Sequence, residues 1–262
     1  MFFFDCSLTY TTSVLVTNTS TFSTNIHSEG YDGLIGLGPN SGSSIYKKLS
    51  GDTGNNALNR IFEQNPSSTN DYITLKLSRR GDPASNVTGQ FTISEIVPGY
   101  ENITSMPQLP IEMVYKVTDE DQHWQVLTDK DAGVVGPDGQ PIDISSIVPK
   151  APSGQLVAVL DSGFTLPQVP RSMSDAIYGR VQGAEWSASH GAWLVPCGQL
   201  INVTFNFGGV PYPVHPLDVS SSDFGVTFSN GNLACLGTVR VTPIYSAYSG
   251  EHDTKCRSVS AN

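Results

Sequence analysis

Leu156-Val157-Ala158-Val159-Leu160-Asp161-Ser162-Gly163-Phe164-Thr165-Leu166-Pro167-Gln168-Val169-Pro170 is the stretch on which the reading of this chain turns. Its opening run of apolar residues, two of them Val, reads as a buried strand. That strand delivers Asp161 at its end, and Ser162-Gly163 then lets the backbone turn without a Cβ in the way. A carboxylate at the tip of a buried strand is costly unless hydrogen bonds hold it, and Ser162 and nearby backbone N–H groups are placed to do so. Such a group is a candidate acid or base. Pro170 suits the first turn of a helix running on through Tyr178. The triplet by itself is not specific, because Asp52-Thr53-Gly54 repeats it. That second copy follows Lys47-Lys48 rather than an apolar strand, and it reads as a polar turn capping the next helix.

Working outward, the 262 residues could form one large or two modest domains. At 38% hydrophobic and 15% charged the chain can build a core, and no apolar run reaches transmembrane length. A net charge of −10 argues against nucleic acid as a partner. The four cysteines (Cys6, Cys197, Cys235 and Cys256) include no C-x-x-C pair, and the histidines show no ligand spacing, so neither a metal nor another cofactor is expected. Asn18, Asn86, Asn102 and Asn202 each head an Asn-x-Ser/Thr acceptor triplet. With the abundant Ser, Thr and Gly, these favour an extracellular, secretory-pathway or vacuolar protein. Met1-Phe2-Phe3-Phe4 is followed at once by Asp5, too short an apolar run for a signal peptide.

Along the chain, Val14-Leu15-Val16 reads as a strand core, and the glycines of Gly30-Tyr31-Asp32-Gly33-Leu34-Ile35-Gly36-Leu37-Gly38-Pro39 suggest a strand closely approached by other backbone. Ser43-Ser44 can cap a short helix through Leu49, and Asn55-Asn56 another through Glu63. Strands are predicted over 72–77, 90–96, 110–117, 123–128, 199–207, 210–215 and 232–240. Many short strands and few short helices indicate an all-β protein, with a lobe boundary near residues 100–108. We therefore divide the chain into 1–108 and 109–262.

Three segments together carry a resemblance. Asp161-Ser162-Gly163 with its flanks, the Asp32-Gly33-Leu34-Ile35-Gly36-Leu37-Gly38 segment, and Trp193-Leu194-Val195-Pro196-Cys197 followed by Ile201–Gly209 and Cys235 are similar to the pepsin-like aspartic peptidases, in particular the fungal-type secreted ones. The resemblance implies a bilobal, all-β acid-protease fold with few short helices, and a monomer acting on polypeptide substrates. It implies that Asp161 is a catalytic carboxylate, Ser162 its hydrogen-bond support, and Gly163 and Thr165 part of the substrate-facing edge. It also implies a Cys197–Cys235 disulfide clamping a β-excursion. Phe164 departs from the family, which has Thr or Ser straight after the Gly; here Thr165 comes one place later. Cys6 and Cys256 fall in segments without the resemblance, and no bridge between them is expected.

The resemblance runs from about Tyr31 to about Gly237. Before Tyr31 there is no Asp-Thr/Ser-Gly, and Tyr10 lacks the following Gly of a flap hairpin. After Tyr245 the chain is polar and short, where the family has an apolar-apolar-Gly strand; Leu236-Gly237 is a conceivable substitute. The expected fold thus lacks the first half of the N-terminal lobe, leaving 1–108 as its remnant, and the closing strands of the C-terminal lobe in 109–262. Family chemistry needs paired Asp carboxylates that activate a water at acidic pH, without a covalent intermediate. Three readings follow: an aspartic endopeptidase represented by an incomplete chain, a catalytically inactive peptide-binding relative, and a homodimer contributing one Asp per chain. A serine hydrolase is disfavoured, since no Gly-x-Ser-x-Gly elbow occurs.

Overall fold

The computed structural model describes residues 36–49, 51–64, 70–79, 89–111, 124–143, 146–148, 150–162 and 166–241. The proposed strand at Val14–Val16, most of the glycine segment before Gly36, most of the strand at 110–117, Cys6, Cys256, Asn18 and Asn86 lie outside them. The described residues form mostly short strands with few short helices, an all-β architecture consistent with the pepsin-like fold. The chain divides into two compact units, Met1–Gln108 and Leu109–Asn262.

In the first unit, α1 (Ser44–Leu49) and α2 (Ala57–Glu63) flank a single 3-10 turn, Gly51–Gly54. Ser43 caps α1, its hydroxyl accepting from the Tyr46 N–H at 3.4 Å. Asn56 caps α2, its side chain accepting from the Asn59 N–H at 2.8 Å. Asp52-Thr53-Gly54 is therefore a turn before a helix, as expected, but the cap is Asn56 and not Asp52. The triplet's glycine has a packing role. A Cβ on Gly54 would lie 2.8 Å from the Tyr46 Cα, so Gly is what lets the turn touch α1. Gly54→Ala should lower the thermal midpoint of this unit by several degrees, because the opposing atom is backbone and cannot rotate away. An unchanged midpoint would refute the close-packing account. Strands β1 (Ile73–Lys76) and β2 (Gln90–Ile93) then pair antiparallel, Thr74 opposite Thr92.

The second unit holds the third α-helix and the remaining strands. Strand β3 (Gln125–Leu127) pairs antiparallel with β5 (Val157–Val159), and β4 (Val134–Val135) lies beside β9 (Val203–Phe207). Strand β6 (Gln168–Val169) leads into α3 (Arg171–Tyr178). Next come β7 (Glu185–Ser187) and β8 (Ala192–Val195), then β9 with β10 (Val210–Val214), and finally β11 (Ser220–Ser221), β12 (Cys235–Gly237) and β13 (Arg240–Val241). They form a sheet ordered β10-β9-β4, another ordered β11-β12-β8-β7, and a parallel pair β13-β6. The predicted strand over 232–240 is split in two at Thr238-Val239, because its halves join different sheets.

Period-two alternation explains how β8 serves two cores at once. Val195 and Trp193 face a cluster built on Met173, Ile177 and Tyr178 of α3 with Val134, Val203 and Val219. Ala192 and Leu194 face the opposite cluster with Val226, Ala234 and Leu236. Cys197 and Cys235 are joined in a disulfide with Cα atoms 4.9 Å apart, as the resemblance implied. It closes a loop of sequence separation 38 that contains β9 to β11. On the chain-entropy account such a loop contributes about 3–4 kcal/mol. Peptide mapping without reduction should recover the two cysteines as one linked pair, and Cys197→Ser should lower the unfolding free energy by a comparable amount. Two freely alkylated thiols would refute the bridge.

Candidate active site

Asp161 is carried by the β3–β5 ladder, in which Gln125 opposes Val159 and Leu127 opposes Val157. The ladder continues one residue further, where the Leu160 N–H donates to the Trp124 carbonyl at 2.8 Å. Asp161 thus follows directly on the strand, next after Leu160.

The strand itself is not buried. Val159 is 48% exposed and Leu160 70%, and Asp161 and Ser162 are both exposed. An apolar run suits a strand covered on both faces, but among the described residues β5 pairs only with β3, in a two-stranded sheet. Gly163 and Thr165 lie outside the described residues, so the structure places Asp161 and Ser162 side by side in the chain and no more of the expected site.

Both approaches to this loop are fixed. On the upstream side, Thr128 is 1% exposed and makes a three-point clamp. Its N–H donates to the Leu156 carbonyl at 3.0 Å, its hydroxyl oxygen accepts from the Leu156 N–H at 2.9 Å, and its carbonyl accepts from Gln155 Nε2 at 2.6 Å. A buried hydroxyl that satisfies the N–H just before β5 sets the strand's register, and hence the position at which Asp161 emerges. Gly133 completes the clamp, since a Cβ there would sit 2.5 Å from the Thr128 hydroxyl. Sequence reading gave Thr128 no role beyond a strand position.

On the downstream side the Arg240 N–H donates to the Pro167 carbonyl at 2.9 Å, and β6 runs parallel to β13, Gln168 opposite Arg240. Pro170, with φ −55° and ψ 147°, then occupies the position just before α3. Leu236-Gly237, considered as a substitute for the family's glycine strand, instead pairs with β8 and β11. Gly237 is needed there for another reason, because a Cβ would come 2.7 Å from the Tyr178 ring.

A family model, eukaryotic aspartyl protease, matches residues 113–255, more than half of the chain and including Asp161-Ser162-Gly163. The chain belongs to the eukaryotic aspartyl protease family. No curated protein matches it. The matched segment of this aspartyl protease chain holds the whole Thr128 clamp, β5, α3 and both disulfide cysteines. Asp52 falls outside it, in the first unit. No helix of the described residues is long and apolar enough to cross a membrane.

A carboxylate elsewhere in the matched segment, Asp138, has its pKa lowered by its neighbours. The Gln140 N–H donates to Asp138 Oδ1 at 3.0 Å and holds its carboxyl below the usual carboxylate range; partial desolvation opposes this, and Arg180, at 2.8 Å, reinforces it. With a lowered folded value, the stabilisation from this contact is present above the ordinary carboxylate range and is lost as pH falls through the lowered one. A carboxyl-carbon NMR titration should therefore find Asp138 still ionised at a pH where exposed aspartates are half protonated. A midpoint at or above theirs would refute the assignment.

Proposed function

We propose that this chain supplies one carboxylate of an aspartic endopeptidase site, with Asp161 as that carboxylate and Ser162 as its hydrogen-bond support. The observation that carries the reading is Asp161-Ser162 at the end of a register-locked strand inside the matched segment, where the sequence continues with Gly163. In this chemistry one carboxylate acts as base on a water, and its protonated partner polarises the peptide carbonyl. The water's oxygen bonds to the carbonyl carbon, the C–N bond breaks, and the amine leaves with a proton. Gly163 and Thr165 would line the substrate edge, and the substrate is a polypeptide taken by a monomer.

Residues 1–108 are read as the remnant of an N-terminal lobe and 109–262 as the C-terminal lobe. The sequence offers no second Asp-Thr/Ser-Gly that follows an apolar strand. On this reading the partner carboxylate is not supplied by that pattern within one copy of these 262 residues, and the chain by itself is expected to be a poor peptidase. The same observation favours the second reading, a peptide-binding relative without catalysis. The disulfide and the exposed acceptor residues Asn102 and Asn202 support a secreted or vacuolar site of action.

The test compares this chain with one extended to supply a second Asp-Thr/Ser-Gly segment, assaying protein hydrolysis from acid to neutrality. Acid proteolysis by the extended form alone is expected. Robust hydrolysis by the short form would favour a homodimer that assembles two Asp161 residues. Hydrolysis by neither, with peptide binding retained, would establish the second reading.

A further inference from the structure

We infer that Asn202 can accept an N-linked glycan only before the second unit folds, whereas Asn102 remains an acceptor in the folded chain. The inference rests on the secretory-pathway reading and not on the peptidase chemistry. In the transfer, the Asn amide nitrogen attacks C1 of a lipid-pyrophosphate-linked oligosaccharide. The N–C1 bond forms, the bond from C1 to the phosphate oxygen breaks, an amide proton is lost, and the lipid pyrophosphate departs. The transferase has to hold the Asn amide and the hydroxyl two residues later together, which is why the acceptor is a triplet.

At Asn202 the folded chain exposes the first group but fixes the second, on half-buried Thr204, within a strand paired on both sides. Asn202 is exposed, but its neighbours Ile201 and Val203 are each 1% exposed. Thr204, whose hydroxyl completes the triplet, lies in β9, the central strand of its sheet. It is opposite Pro213 of β10 on one side and Val135 of β4 on the other. Freeing the backbone from Asn202 to Thr204 so that the transferase can enclose it means drawing β9 out from between its neighbours, and that amounts to unfolding the unit. Cys197 lies a short way upstream, so closure of Cys197–Cys235 pins the same segment. Strand pairing, disulfide closure and glycan transfer therefore compete for one stretch of chain.

Asn102 differs in each respect. Its triplet lies in a single 3-10 turn, Glu101–Ser105, with every residue exposed. The turn is held by local bonds, Thr104 Oγ1 to the Glu101 carbonyl at 2.9 Å and Ser105 Oγ to the Asn102 carbonyl at 2.7 Å. Such a turn opens locally without disturbing the rest of its unit.

The full chain, made without glycan and oxidised so that Cys197–Cys235 is closed, is offered to solubilised oligosaccharyltransferase with a lipid-pyrophosphate-linked oligosaccharide. A reduced, denatured portion is treated in parallel, and glycopeptide mass reports each site. The folded chain should gain the glycan mass at Asn102 and none at Asn202, and the denatured chain should gain it at both. Modification of Asn202 in the folded chain, or its refusal by the denatured one, overturns the inference for Asn202. Refusal at Asn102 by the folded chain overturns the contrast. Proteolytic activity enters none of these readouts, so the peptidase reading stands or falls separately.

Discussion

Asp161→Asn should reduce acid proteolysis by on the order of 10⁴-fold or more in the extended chain, while Asp52→Asn should leave it unchanged. The size of the first effect follows from cooperation: two carboxylates share the tasks of base and electrophile, and removing one removes the function of both. Asn keeps the shape of the side chain, so the loss would not come from misfolding; Asp161 is already exposed, just past the end of β5. The second half of the experiment separates two identical tripeptide patterns by their settings. Asp52 stands in a 3-10 turn whose glycine packs on α1, a sufficient reason for the pattern without catalysis. Equal losses from both substitutions would mean that the pattern in the first unit had been misread.

Tyr178→Ala should destabilise the second unit by about 3–5 kcal/mol, the largest stability effect expected of any single substitution here. Tyr178 is fully buried in the core cluster, and its hydroxyl bridges two separate stretches of backbone. It donates to the Val219 carbonyl at 2.7 Å and accepts from the Val239 N–H at 2.9 Å. Truncation would leave a cavity and also strand a buried carbonyl and a buried N–H. Tyr178→Phe isolates the polar part, and about 1–3 kcal/mol is expected for it. Burial pushes the Tyr178 hydroxyl up to about 12 from its ordinary 10.0. With a raised folded value, the contribution is whole below the ordinary one and is lost as pH rises through the folded one. Chemical denaturation of the variants, with tyrosinate absorbance followed on alkaline titration, checks both statements. A Tyr178→Ala loss below that of Tyr178→Phe would refute the packing argument.

How much of this was legible in the sequence depended on the range of the contacts involved. Helix α3 was legible because Pro170 and the residues after it act within one or two turns. The caps at Ser43 and Asn56 were legible for the same reason. The Cys197–Cys235 pair was legible only through the family resemblance, since the cysteines themselves left their pairing open. The burial of β5 was misjudged because a run of Leu, Val and Ala records hydrophobicity and not how many sheets cover it. Thr128 and Tyr178 carried no local signal. The Thr128 clamp closes on residues 27 and 28 positions away, and the Tyr178 bridge on residues 41 and 61 positions away. A single sequence cannot announce a contact whose two halves look ordinary apart.

Strand β10 reads Val210-Pro211-Tyr212-Pro213-Val214, and its register with β9 leaves the two prolines at alternate positions. Because successive residues of a strand point their N–H groups to opposite sides, Val210, Tyr212 and Val214 can serve β9 while Pro211 and Pro213 face away. Neither proline has a hydrogen to give. Among the described residues β10 is an edge of its sheet, and an incoming chain seeking to add a strand there would find two of its acceptors unanswered. This matters most near the isoelectric point. As pH falls toward the sequence pI of about 4.8 and the net charge of −10 is titrated away, mutual repulsion between molecules fades. Solubility there would rest on geometry that no change of pH can alter.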